Sequence, residues 1–252
     1  MNPLQRSLIE KTGHDFGFEY VFSSDDGSVT LASARHPTHV QVFLEGDVYH
    51  VAVVQGSELL LSELVRDFRA GEDGFSCLGL EQLADFLARA ASLGRALPNT
   101  AQLKFEQRVS DELATLPDAA RGTEVERMVR QRVGQDAFRQ AMLDYWGSAC
   151  AVTGIAIPEI LRASHAKPWA ECLSDAERLD VFNGFLLSAN LDALFDRGLI
   201  SFDSLGGLLV SGQINDEEKR RLRLDCQMSL RWLAEEHLSY LAWHRHNLFD
   251  KS

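Results

Sequence analysis

ASHAKPW at residues 163–169 and NGFLLSANLDALFDRGLISF at 183–202 decide the fold of this chain. His165 stands in a loop-like segment that ends in Lys167-Pro168-Trp169, where Pro168 cannot join a strand ladder. Asn183-Gly184 is a favoured turn dipeptide, and the apolar run FLLS after it reads as a short strand. Asn190 reads as the N-cap of a short helix at 191–197, with Gly198 as its stop. On that helix Asp192 and Asp196 are four residues apart and share a face. Leu191, Leu194 and Phe195 lie on the other side and can pack inward.

These residue types suit phosphodiester hydrolysis. The reaction needs a base for an attacking water and a cation to neutralise charge on the phosphate and the leaving 3′-oxygen. A neutral histidine titrates close to working pH. Carboxylates are hard ligands suited to Mg²⁺, which keeps most of its waters and needs only one or two of them.

The pattern resembles the HNH (ββα-metal) endonuclease family, in particular a branch with S-H-x-x-P-W, N-G-L-L-L and L-D-x-L-F-D-x-G. The resemblance implies metal-dependent cutting of DNA with Mg²⁺ or Mn²⁺. His165 then becomes the general base, and Asn183 the residue that steadies the loop carrying it. Asp192 falls at the family's third motif position, a metal ligand, so the letters read H-N-D. Asp196 can assist it. Many members have an acidic residue or histidine just before the catalytic histidine, as a second ligand; this chain has Ser164 there. The knuckle CAVTG at 150–154 has Thr153 where a zinc-bearing member would have its second cysteine, so no structural zinc is expected. Arg162, Lys167, Arg178 and Arg197 surround the motif and are candidate phosphate contacts. V-G-Q-x-x-F-R, at 133–139, resembles the helix that precedes the nuclease core in this branch.

Outside the motif, apolar spacing predicts a helix at 3–12, strands at 28–33, 39–45 and 47–54, and helices at 57–71 and 80–94. Gly46-Asp47 marks a hairpin turn, while Gly71 and Gly94 read as helix stops. Residues 96–123, with Pro98, Asn99, Pro117 and Gly122 around a short helix at about 103–114, read as a connector. Beyond it the pattern predicts helices at 124–132 and 136–147, a hairpin from 199–202 and 206–212, and closing helices at 216–224 and 230–246. The expected fold class is α+β. A small N-terminal domain, 1–95, would select a target or a partner, and a C-terminal HNH domain, 124–252, would be flanked by helices.

The chain has 252 residues with ordinary globular composition, enough for such a core. The four cysteines, Cys77, Cys150, Cys172 and Cys226, form no C-x-x-C pair and read as reduced thiols. No apolar run approaches the roughly 18–20 residues of a membrane span, and the N-terminus is polar where a secretory signal is apolar. The expectation is a cytoplasmic protein that does not meet a membrane. Its net charge of −12 opposes a simple DNA-binding protein. The acidity is uneven, however. Residues 1–120 carry 9 basic and 18 acidic residues, and residues 121–252 carry 16 and 19. DNA is the expected partner; a homodimer and a protein partner docked on residues 1–95 are compatible with the same reading. The rival is a binding protein with a decayed nuclease core, acting through its acidic first half.

Overall fold

The computed structural model describes residues 1–23, 27–71, 74–115, 122–224 and 227–249. Pro117 of the expected connector and Cys226 lie outside these residues. The chain divides into two units, Met1–Thr100 and Ala101–Ser252.

The first unit begins with α1 (Pro3–Asp15), whose start is set by a capping box between Asn2 and Gln5 and by Pro3 in the first turn. β1 (Tyr20–Ser23), β2 (Val29–Ala32), β3 (His39–Glu45), β4 (Val48–Gln55), β5 (Ala70–Gly71) and β6 (Gly74–Leu78) form one sheet. Its order is β1-β2-β3-β4-β6-β5, with every pairing antiparallel. Alternation decides the faces. Val40, Val42, Tyr49, Val51, Phe75 and Cys77 are buried. α1 packs on this sheet with α3 (Gly79–Ala96), and α2 (Glu58–Asp67) packs on α3. On the opposite face Phe22, Phe43 and Leu78 are exposed.

Two expected glycine stops are absent. α2 ends at Asp67, and Phe68 turns extended to pack its ring 5.0 Å from Phe86. Gly71 is therefore in a strand rather than a cap. Gly94 lies inside α3, because a Cβ there would come within 2.6 Å of Thr38 Oγ1; its role is close packing. β1, β5 and β6 were not among the expected strands.

The stretch expected as a connector is largely helical, forming α4 (Pro98–Ala114). Phe105 and Val109 of α4 are buried in the second unit. The two helices expected at 124–132 and 136–147 are one, α5 (Thr123–Tyr145), which runs straight through Gly134. Next come β7 (Leu161–His165), α6 (Asp175–Leu179), β8 (Gly184–Ser188) and α7 (Ala189–Asp196). β7 and β8 pair antiparallel, with His165 opposite Gly184 and Ala163 opposite Leu186. All of β8 is buried. On its other edge Ala151 N donates to Leu186 O at 2.6 Å, so the 150–154 knuckle backs the hairpin.

The expected hairpin appears as β9 (Ile200–Phe202) and β10 (Leu208–Val210). α8 (Asp216–Arg221) has a capping box from Asn215 and Glu218. The last helix, α9 (His237–Asn247), starts seven residues later than the expected 230. Its predicted first turns are instead pulled out of helix by Arg231. The Arg231 backbone donates to Ala151 O, and its guanidinium donates to Trp146 O and Ala149 O. No helix among the described residues is long and apolar enough to cross a membrane.

Candidate functional site

β7, β8 and α7 form a ββα unit, and α5 crosses beside it. Between them lies a cleft of about 340 Å³ lined by Gln135, Phe138, Arg139, Arg162, His165, Trp169, Asp192 and Asp196, with Ala163 at its floor. Four residues singled out in the sequence, His165, Arg162, Asp192 and Asp196, therefore meet in one place.

His165 is the last residue of β7. Its ring stacks on Phe138 with centroids 3.8 Å apart and meets Trp169 edge-on at 6.0 Å. Nε2 lies 2.9 Å from the carbonyl oxygen of Arg178. A carbonyl can only accept, so Nε2 carries the hydrogen and the neutral ring has its lone pair on Nδ1. Burial pushes the imidazole down to about 4, partly opposed by that hydrogen bond, so the ring is neutral at physiological pH.

Asn183 is fully buried just before β8. Its Oδ1 accepts from Lys167 N at 2.8 Å, and its Nδ2 reaches Lys167 O at 3.2 Å, Glu177 O at 3.1 Å and Cys172 Sγ at 3.3 Å. One amide thus clamps the Lys167-Pro168-Trp169 turn to the segment that precedes β8. Gly184 is required beside it, because a Cβ there would stand 2.0 Å from Ser164 O.

The α7 helix starts two residues earlier than expected. Ser188 is the N-cap, and Asn190 lies inside the helix, where it accepts from Ser188 Oγ at 2.8 Å. The i, i+4 spacing still places Asp192 and Asp196 on the cleft. Asp196 stands on the exposed rim. Its carboxyl is nonetheless partly desolvated by the protein around the rim, and this, with the Asp192 charge and against the opposing Arg197, pushes it up to about 6. Ser164 Oγ donates to Asp192 Oδ1 at 2.5 Å, so its hydroxyl is directed at the carboxylate. The described residues contain no group of three or more His, Cys, Asp or Glu side chains able to hold a metal. Two carboxylates side by side on one helix face fit a hard divalent ion that keeps its waters, and do not fit a tetrahedral zinc site.

The expected phosphate contacts separate into two groups. Arg162 lines the cleft, with its guanidinium on Glu159 O and Leu161 O. Arg197 is exposed at the end of α7. Lys167 and Arg178, by contrast, direct their donors inward. Lys167 Nζ pairs with Glu177 at 2.6 Å, a hydrogen bond that holds the Glu177 carboxyl below its usual range. Arg178 binds Trp169 O, Cys172 O and Asp175. Both side chains brace the loop under His165 in this structure.

Arg139 and Gln135 were not singled out as site residues, yet both line the cleft, and Arg139 also donates to Leu161 O and Pro158 O. The signal was in the V-G-Q-x-x-F-R stretch. Val133 is buried and Gly134 makes room for Trp169. Gln135 faces the cleft, Phe138 supports the His165 ring, and Arg139 ties down the start of β7.

Residues 150–203 match the family model described as HNH endonuclease. The matched segment contains the knuckle, β7, β8, α7 and β9, together with His165, Asn183 and Asp192. It points to a nuclease; HNH nucleases generally use divalent metal ions and act on DNA. No curated protein matches the chain.

Proposed function

We propose that this protein is a metal-dependent endonuclease that hydrolyses DNA phosphodiester bonds, serving in restriction or another defence against foreign DNA. The observation that supports it best is the meeting of His165, Asp192 and Asp196 at one cleft inside the segment that matches the HNH endonuclease family. His165 is the general base. Its Nε2–H is engaged by Arg178 O, its plane is held by Phe138, and Nδ1 takes the proton of the attacking water. Asp192 and Asp196 would hold Mg²⁺ or Mn²⁺, which when bound neutralises charge on the phosphate and the leaving 3′-oxygen. Ser164 orients Asp192 instead of ligating directly. Asn183, Lys167 and Arg178 position the loop, and Arg162 with Arg139 contacts the phosphate.

The test is cleavage of plasmid DNA by the purified chain with Mg²⁺ or Mn²⁺, with and without chelator. Cleavage should require the ion, and His165→Ala should lower the single-turnover rate by about 10²–10⁴-fold. A His165→Ala protein that cuts at the wild-type rate removes His165 from the mechanism. One observation favours the rival reading of a decayed nuclease core: no third ligand-type side chain joins the two aspartates among the described residues. A folded wild-type chain that fails to cut with either Mg²⁺ or Mn²⁺ would select that rival, with the acidic first half as the working surface.

A further inference from the structure

A second groove of about 340 Å³ adjoins the cleft. Trp169 lines both, and both open along one side of α5. Arg127, Arg130 and Gln131 of α5 line the groove, and Gln135, Phe138 and Arg139 line the cleft. Arg127, Arg130, Gly134 and Phe138 follow at steps of three and four residues, with Gln131, Gln135 and Arg139 beside them, so all six lining residues lie on one half of the helix. Gly134 lies between the two sets. A Cβ there would come within 2.1 Å of the Trp169 ring, so the glycine lets the indole lie against the helix as a ridge between groove and cleft. A helix-interior glycine costs about 1 kcal/mol relative to alanine, and this position has a packing reason for it.

The groove lining carries three guanidiniums, from Arg127, Arg130 and Arg178, against one carboxylate, Asp175. Their other acidic partners, Glu106, Glu124 and Glu126, are not part of the lining. Arg178 is committed to holding Trp169 O, Cys172 O and Asp175, and so shapes the wall. Arg127 is different: its partner is Glu124 in an exposed i, i+3 pair, a weak kind of contact that a phosphate can replace. Arg130 is held by Asp175 at 3.0 Å and by Glu106 and Glu126 at 3.4 Å, with its guanidinium at the groove. From Arg127 to Arg139 the helix advances about 18 Å. That matches roughly five steps of a DNA strand at about 3.4 Å each.

We infer that this groove is a second phosphate subsite, which holds the backbone of the DNA strand flanking the cut through Arg127 and Arg130. The inference rests on the nuclease reading for its substrate. It gives an acidic protein a line of guanidiniums at which a phosphate would replace the carboxylate partners outside the groove, Glu124 of Arg127 and Glu106 and Glu126 of Arg130.

The test uses the full-length chain with His165→Ala, which binds without cutting, and a fluorescent 20-base-pair duplex of mixed sequence. Anisotropy measures affinity from low to physiological salt. Adding Arg127→Ala and Arg130→Ala together should weaken binding tenfold or more. It should also flatten the slope of log K against log salt by about 1.8, since each neutralised phosphate contributes about 0.9. Arg127→Ala alone, at an exposed position, should flatten it by about 0.9, and Arg127→Lys should restore it. Arg132→Ala, outside the groove, should leave it unchanged. Unchanged slopes in the Arg127 variants overturn the subsite, and plasmid cutting by the wild type would then leave the nuclease reading intact. Flattened slopes with a wild type that never cuts would keep the subsite and sink the nuclease reading. No measurable DNA binding sinks both.

Discussion

The two sheets of this molecule are built on opposite principles. In the first unit, β3 alternates buried and exposed positions, and six strands spread one covered face. In the second, β8 is buried at every position yet pairs with β7 alone. The larger sheet is held by regular ladder hydrogen bonds and a one-sided apolar face. The smaller one is held by side chains that bond to backbone: Asn183 on the Lys167 turn, Arg139 on the start of β7, Arg178 on the loop between the strands, and Arg231 on the Trp146–Ala149 turn that leads into the knuckle. The difference shows where precision is needed. A sheet face tolerates slack, whereas a histidine positioned for proton transfer needs its neighbours fixed by directional contacts.

The largest effect that tests this contrast is expected at Gly184. Replacement by Ala puts Cβ 2.0 Å from Ser164 O, a backbone atom that cannot rotate away. The β7–β8 pairing should part, with a loss of about 3–4 kcal/mol or more in denaturant unfolding. A loss under about 1 kcal/mol would mean the hairpin is as forgiving as the larger sheet.

Asn183→Ala comes next. It strips partners from Lys167 N, Lys167 O and Glu177 O at once. About 2–3 kcal/mol should be lost, together with most nuclease activity, because the His165 loop is no longer clamped. Equal stability in a folded variant would show that the clamp is dispensable.

The third test uses pH. His244 is fully buried between Ser201 Oγ and Phe195 O, and burial pushes it down to about 4. The unfolded chain binds this proton near pH 6.5, whereas the folded chain resists it until about 4. Stability should therefore fall as pH drops from about 6.5 to about 4, by an amount on the order of 2–4 kcal/mol. His244→Gln removes that dependence, so the stability gap between wild type and variant should narrow across this window in thermal melts. A constant gap would show that His244 does not titrate in the unfolded-to-folded difference.

The smallest effect is expected on the outer face of the larger sheet. Phe43 is 44% exposed and stacks on His50. Phe43→Ser should cost only about 0.5–1 kcal/mol and leave cleavage unchanged. A loss comparable to that of Asn183→Ala would erase the distinction between the two regions.

Much of the site was legible before any coordinates. The turn at Asn183-Gly184, the strand after it, and the one-face placement of Asp192 and Asp196 follow from local rules, because turn chemistry and the 3.6-residue period act within a few residues. The α+β class was legible for the same reason, from periods of two in 39–45 and of 3.6 in 80–94. What local rules misplaced is equally specific. Gly71 and Gly94 read as helix stops, and the stretch around Gly134 fell between two expected helices. The tertiary structure uses Gly94 and Gly134 for close approach, under Thr38 and Trp169, and draws Gly71 into a strand. Residues 230–236 had helical spacing, yet Arg231 bonds Ala151 O through its backbone and Trp146 O and Ala149 O through its guanidinium. Lys167 and Arg178 looked like free cations, and only folding reveals that Glu177, Asp175 and two carbonyls face them. The sequence by itself determined which chemistry is present and on which local elements it rides. Only the tertiary structure decided which charges stay available and which histidine nitrogen carries the proton, because the partner of Lys167 lies ten residues away in the chain and that of His165 thirteen, beyond the reach of local rules.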